Sequence, residues 1–259
     1  MAVVTRLRQN VDLYIYDLRR SLPTRFTFSP TVNNCAVWSP VGKSIVYRSN
    51  EKGPVDLYRK AADGSGSERL LYADGTPKVP ISWSPDGRLL LFYRIDPKTL
   101  RDIWVLPLDN PSKPYPWLAT PSNERFAKFS PDGRWVAYES DESGRYEIYV
   151  GPFPGPGGKR QISAGGGELP RWRADGKEIL YAAPNGKLMA AEVSIKGEGI
   201  EVGTITPLGV PVTLNPLNGY SYDVSADGQR FLVAVPVEKK STAPPITLVQ
   251  NWTALVKKK

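Results

Sequence analysis

The chain of 259 residues has no histidine, one cysteine and two methionines. Without imidazole, Ser-His-Asp and Cys-His catalysis, histidine metal sites and histidine acid–base chemistry are excluded. A single thiol, Cys35, rules out an internal disulfide framework. It lies just before a tryptophan-containing turn, where a buried, inert thiol is the expected role. No stretch reaches the roughly 18 apolar residues of a membrane span, and residues 1–10 carry no signal-peptide core. With Met1 as the true start, the expected compartment is the cytoplasm, and no direct insertion into a membrane is expected. Amphipathic helical runs of useful length are missing. So are a glycine-rich phosphate loop, the His-Arg-Asp and Asp-Phe-Gly elements of kinases and the Gly-x-Ser-x-Gly elbow of hydrolases.

What is present is a repeat. Five copies of one turn motif occur: Trp38-Ser39-Pro40-Val41-Gly42, Trp83-Ser84-Pro85-Asp86-Gly87, Phe129-Ser130-Pro131-Asp132-Gly133, Trp172-Arg173-Ala174-Asp175-Gly176 and Val224-Ser225-Ala226-Asp227-Gly228. They are spaced by 45, 46, 43 and 52 residues. A second marker, acid-aliphatic-aromatic, runs in phase with them as Asp12-Leu13-Tyr14, Asp56-Leu57-Tyr58, Asp102-Ile103-Trp104 and Glu147-Ile148-Tyr149. Two markers sharing a period of roughly 40–50 residues built from short strands predict a β-propeller.

The repeat unit follows from turn chemistry. In the turn motif proline presets φ, the aspartate accepts backbone N–H groups across the turn and glycine supplies a positive φ. Residues 79–83 and 89–93 flank such a turn as a hairpin, 102–106 follows as a third strand and 117–120 as a fourth. Leu89-Leu90-Leu91-Phe92-Tyr93 is apolar at every position, as a strand covered on both faces must be. The 25 prolines and 23 glycines are spread between strands, and 7 Trp and 13 Tyr supply core material.

Counting strands predicts an all-β, six-bladed propeller forming one domain over 1–259, with blades at about 1–30, 33–73, 78–120, 124–163, 168–210 and 219–256. The first blade lacks its inner strand and the last its outer one, since 2–8, 11–18 and 24–29 open the chain out of phase and 246–254 closes it. A five-bladed alternative would pair 220–235 with 11–28 in one sheet. An unpaired first blade would show as dimerisation or a low unfolding midpoint.

Several stretches resemble the TolB-type propeller at the C-terminal, extracytoplasmic end of bacterial eukaryotic-like serine/threonine protein kinases. They are Ser140-Asp141-Glu142-Ser143-Gly144-Arg145, 152–158, Pro170-Arg171-Trp172-Arg173, 222–233 and 246–252. The resemblance covers nearly the whole chain and implies a sensor or scaffold module rather than an enzyme. It also implies that kinase activity would reside in an upstream domain, in which case the propeller lies outside the cytoplasm.

Net charge is +8. The basic residues are scattered over turns and no nucleic-acid motif accompanies them, so a solvated surface is expected and no nucleic-acid partner. Gly155-Pro156-Gly157-Gly158 and Gly165-Gly166-Gly167 lack the Gly-Lys-Ser/Thr and helix of a phosphate loop and are read as connections between strands. Asp86, Asp132, Asp175 and Asp227 are read as turn stabilisers rather than calcium ligands, and Trp38, Trp83 and Trp172 as packing rather than sugar platforms. No catalytic residue, cofactor or metal site is assigned.

The loops leading into the inner strands are the candidate binding surface, for a peptide, glycan or protein ligand. The residues expected there are Asn34, Lys78, Glu124, Arg125, Glu168, Arg171 and Tyr220, with Asn33, Asn123 and Asn218 beside them. Glu124 and Glu168 are read as solvated residues. The alternative makes them the acid and base of a carbohydrate-active enzyme, and a third reading is a truncated relic without independent function.

Overall fold

The computed structural model describes residues 2–7, 10–155, 157–197, 199–214, 221–235 and 246–249, and every helix or strand among them is a strand. Six antiparallel sheets follow one another along the chain. The first holds β1 (Ala2–Leu7), β2 (Asn10–Asp17) and β3 (Leu22–Arg25). Next come β4 (Asn33–Trp38), β5 (Ser44–Ser49), β6 (Asp56–Ala61) and β7 (Arg69–Tyr72), then β8 (Lys78–Trp83), β9 (Leu89–Asp96), β10 (Leu100–Pro107) and β11 (Tyr115–Leu118). The fourth sheet has β12 (Arg125–Phe129), β13 (Trp135–Ser140), β14 (Glu147–Pro152) and β15 (Arg160–Gln161). β16 (Glu168–Trp172), β17 (Glu178–Ala182), β18 (Lys187–Lys196) and β19 (Gly199–Pro211) make the fifth, and β20 (Tyr222–Val224), β21 (Phe231–Ala234) and β22 (Ile246–Val249) the sixth. Each is a meander in chain order, four of four strands and two of three.

The pairing decides between six and five blades. β21 pairs with β22, Leu232 opposite Leu248, while β1 pairs with β2, Val4 opposite Leu13. The stretches 220–235 and 11–28 therefore belong to separate sheets, and the five-bladed alternative is set aside. The predicted continuation of the last strand to Ala254 lies outside the described residues.

Two outer strands start earlier than expected. β3 begins at Leu22 because the Asp17 carboxylate gathers the Arg19 and Arg20 N–H groups into a tight turn. It ends at Arg25 because Thr27 is drawn off the ladder, its hydroxyl donating to Asp12 and accepting the Leu13 N–H, both at 3.0 Å. β11 spans Tyr115–Leu118 rather than 117–120, since Thr120 turns away to donate its hydroxyl to Glu124.

Two compact units divide the chain, Met1–Arg125 and Phe126–Lys259. In each, successive residues of one strand feed different cores, as the two-residue period of a strand demands. In the first unit Ile45 and Tyr47 pack with Leu13, Phe26 and Tyr58, while Val46 packs with Leu57, Trp83, Leu90 and Phe92. In the second, Ile179 and Tyr181 join Trp135, Ile148 and Val150, while Leu180 and Ala182 join Leu169, Leu208, Tyr222 and Phe231. Burying both faces stabilises such a strand by about 2 kcal/mol per large aliphatic side chain, but only when sheets stack.

The turn motif is a self-contained hydrogen-bond device. Gly87 has φ +76° and donates to the Ser84 carbonyl at 2.9 Å, Ser84 Oγ donates to Asp86 at 2.6 Å and accepts from Leu89, and Arg88 N–H reaches Asp86 at 3.0 Å. The set recurs at Ser130-Asp132 and Ser225-Asp227. These bonds favour the ionised form and hold the Asp86 and Asp227 carboxyls below their usual range.

Candidate functional site

Three of the four acids of the second marker, Asp12, Asp56 and Glu147, are structural ties. Glu147 is 1% exposed and its carboxylate receives the Ser163 hydroxyl, Arg145 Nε at 3.0 Å and the N–H groups of Gly165 at 3.0 Å and Gly166 at 2.8 Å. Ser163 Oγ in turn accepts the Ile148 N–H at 2.8 Å. Asp12, Thr27 and Leu13 repeat this tie. The Gly165-Gly166-Gly167 loop is thus an anion cradle, filled by the protein's own carboxylate. Gly167 is required for space, because a Cβ there would meet Ser163 Oγ at 2.7 Å and Ile148 Cγ1 at 2.9 Å.

The loops into the inner strands are clamped in the same way. Lys78 N–H donates to Val55 O at 3.1 Å, Glu124 N–H to Arg101 O at 2.8 Å and Gly167 N–H to Tyr146 O at 2.9 Å. Three of the seven expected ligand-binding residues, Lys78, Glu124 and Arg125, are buried. Lys78 is fully buried, with its ammonium held by Asp56 at 2.9 Å, Asp74 at 2.7 Å and the Thr76 carbonyl at 2.6 Å. All three donors are spent, so Lys78 is a structural residue. Glu124 is 1% exposed and accepts the Thr120 hydroxyl, which replaces the expectation of a solvated carboxylate. Arg125, Asn33 and Asn123 are buried as well. Asn34 and Glu168 are half-buried, Asn34 accepting Arg48 Nε. Tyr220 and Asn218 lie outside the described residues.

Just inside these loops the inner strands are distorted. Cys35, Phe126 and Leu169 have φ of +53°, +50° and +60°, unusual for side chains with a Cβ. In β4 and β16 the register slips there, between Asn34 and Val37 and between Glu168 and Arg171. A bulge of this kind re-aims the residues that follow it. Burial raises the Cys35 thiol pKa, opposed by Arg48, consistent with an inert thiol.

In the second unit the residue before the turn motif is charged in three successive sheets, at Lys128, Arg171 and Asp223, where the first two sheets of the repeat have Val37 and Ser82. Cross-strand bonds align them. Trp172 Nε1 donates to the Lys128 carbonyl at 3.1 Å, and Tyr222 OH to the Leu169 carbonyl at 2.7 Å. Glu139, buried on β13, accepts the Leu169 N–H. Arg171 Nε lies 3.6 Å from Asp223 Oδ1, and Arg171 Nη2 is 3.5 Å from the Tyr222 carbonyl. Burial and then the neighbouring Arg171 drive the Lys128 pKa well down, with Asp223 opposing. Arg171 was expected at a site from the loop pattern. Lys128 and Asp223 were missed, and their signal was a charge at a repeat position elsewhere filled by Val37.

Among the described residues no three His, Cys, Asp or Glu side chains gather into a metal site, and no helix is long and apolar enough to cross a membrane.

The crystal structure of TolB from Acinetobacter baumannii superposes on 96% of this chain and 60% of its own, with a TM-score of 0.73 at 20% identity. The fold is a TolB-type β-propeller. An oligogalacturonate lyase from Vibrio parahaemolyticus shares the architecture at 13% identity and a TM-score of 0.61, over 94% of this chain and 70% of its own. At such identities the likeness is one of fold. An uncharacterized protein of Agrobacterium fabrum is 31% identical over 91 residues, 34% of this chain and 30% of that protein. The propeller chain thus spans under a third of that curated relative and 60% of the TolB chain. No protein-family model matches the sequence.

Proposed function

We propose that this TolB-type propeller is a non-catalytic binding module, and the sensor or scaffold part of a receptor-type serine/threonine kinase, facing away from the cytoplasm. One observation carries the binding reading. Six carboxylates are engaged within the fold, in turns at Asp86, Asp132 and Asp227 and in ties at Asp12, Asp56 and Glu147. Charged side chains also stand half-buried on the inner strands, at Lys128, Arg171 and Asp223. The fold shared with TolB supports this reading. Support for the kinase link is the sequence resemblance over 140–145, 152–158, 170–173 and 222–233.

Mass-spectrometric mapping of the native polypeptide tests the receptor part. Peptides joining this sequence to an upstream membrane span and kinase domain are expected, and a native protein starting at Met1 would contradict it. Partner capture from extracellular material tests the binding part. Retention of a partner that Arg171→Ala weakens at least tenfold is expected, and a verified partner indifferent to Arg171→Ala would contradict this surface. A carbohydrate-active alternative is favoured only by the fold shared with a lyase. It requires turnover of a polysaccharide that Glu124→Gln or Glu168→Gln abolishes.

A further inference from the structure

One end of the first two sheets, within the first unit, exposes apolar and basic side chains together. β2 and β4 run parallel, bridged between Val11 and Val32, and six residues beyond that bridge they end at Asp17 and Trp38. The connection from β2 to β3 and the turn from β4 to β5 therefore emerge at the same end, beyond the core that joins the two sheets through Leu13, Ile45 and Tyr47. The first is closed by the Asp17–Leu22 pair and exposes Leu18 by 43% and Leu22 by 59%, on either side of the exposed Arg19 and Arg20. The second exposes Val41 by 75%, beside exposed Pro40 and Lys43. Val41 stands where the other turns have Asp86, Asp132, Asp175 and Asp227, so this turn presents an apolar side chain in place of its closing acid.

Charge at this end is mostly positive. Arg59 and Arg69, both exposed, lie two residues further back on the second sheet, and Lys60 is buried with its ammonium 3.7 Å from Glu68. The exposed acids are Asp17 and Asp63, and both carboxylates accept backbone N–H groups of their own turns. Arg20 lies 3.7 Å from Asp17 with 79% of its side chain open to water. Side chains carried on protruding turns offer little of the flat, close-packed area that a protein interface buries. They can each enter the boundary between lipid headgroups and acyl chains, while neighbouring arginine and lysine side chains stay at the level of the phosphates.

We propose that this end of the first unit docks on an anionic lipid surface, with Leu18, Leu22 and Val41 entering it and Arg19, Arg20 and Lys43 meeting its headgroups. No residue of the second unit takes part, so the inference stands apart from the inner-strand binding reading.

The test floats the full chain with vesicles of phosphatidylcholine alone or with phosphatidylglycerol added. Retention by the anionic vesicles is expected, about tenfold weaker on neutral ones and falling as salt is raised. Arg19→Gln combined with Arg20→Gln is expected to weaken anionic retention by about tenfold or more, and Leu18→Ser combined with Leu22→Ser by about tenfold. Val41→Asp is expected to weaken it to a similar degree while completing the hydrogen bonds of its turn, so that a loss of binding is not a loss of structure. No retention by anionic vesicles overturns the proposal, and so does retention that all three variants leave unchanged, which would belong to another basic segment. A protein partner whose capture Val41→Asp abolishes, with no vesicle binding, replaces the lipid surface with a protein one and equally overturns it.

Discussion

Two charged regions of the second unit use the same kinds of residue to opposite ends. Around Glu147 a buried carboxylate is met on all sides by a hydroxyl, two backbone N–H groups and an arginine, so its charge holds the loop after β15 against β14. Around Lys128 burial and a neighbouring cation work against the ammonium, and Asp223 offsets them only in part. The first region spends charge on the fold, and the second keeps charge at a cost to the fold. Such a partly compensated cost is what the proposed binding role of these inner strands predicts.

The sharpest way to break this contrast is to delete the tie. Glu147→Ala leaves the Gly165 and Gly166 N–H groups and the Ser163 hydroxyl without their acceptor, and unfolding in urea is expected to show a loss of about 3 kcal/mol. Gly167→Ala attacks the same loop through space rather than charge. Its Cβ would press on Ser163 and Ile148, and a loss of about 2 kcal/mol is expected in the same assay.

Acid titration separates architectural carboxylates from the rest. The Asp86, Asp132, Asp175 and Asp227 carboxyls are held below their ordinary values, chiefly by hydrogen bonds within the turns, with burial opposing most strongly at Asp132. A group depressed in the folded state contributes stability in full above its unfolded pKa of about 3.9 and loses it as pH falls through the folded value. Melting temperature is therefore expected to hold from pH 7 to about 5 and to fall below about 4. The smallest effect belongs to the one turn without an acid, where Val41 is 75% exposed and Ser39 Oγ still accepts the Ser44 N–H at 3.0 Å. Val41→Asp should restore the turn bond and add about 0.5–1 kcal/mol at pH 7, a gain that disappears at pH 2.

The sheets could be read from sequence because their determinants are local. A glycine at φ +76°, a serine and an aspartate two residues on close a hairpin wherever they occur, and the markers recur in phase. The site was less accessible. Lys78 and Glu124 stand in loops, where polar residues ordinarily face water, yet clamping N–H bonds to Val55 and Arg101 bring those loops into the fold. Lys128 and Asp223 sit beside turn motifs and pass for turn residues in a linear reading. Only superposing the repeats, which sets them level with Val37 and Ser82, shows charge where a strand ordinarily has an uncharged residue. The acid of the second marker was visible as a period and not as a tie, because its hydroxyl partners lie 15 or 16 residues further on, at Thr27 and Ser163.

The most direct test of the division between architectural and binding charge is the urea midpoint of Lys128→Met against the unmodified protein, from pH 7 to 10.5. A lysine depressed in the folded state imposes its penalty in full below its folded pKa and sheds it as pH rises towards the unfolded value of about 10.4. The variant is therefore expected to unfold at higher urea at pH 7, by about 1 kcal/mol, with the difference closing by pH 10.5. A variant less stable than the unmodified protein at pH 7 would make Lys128 one more structural tie and contradict the division.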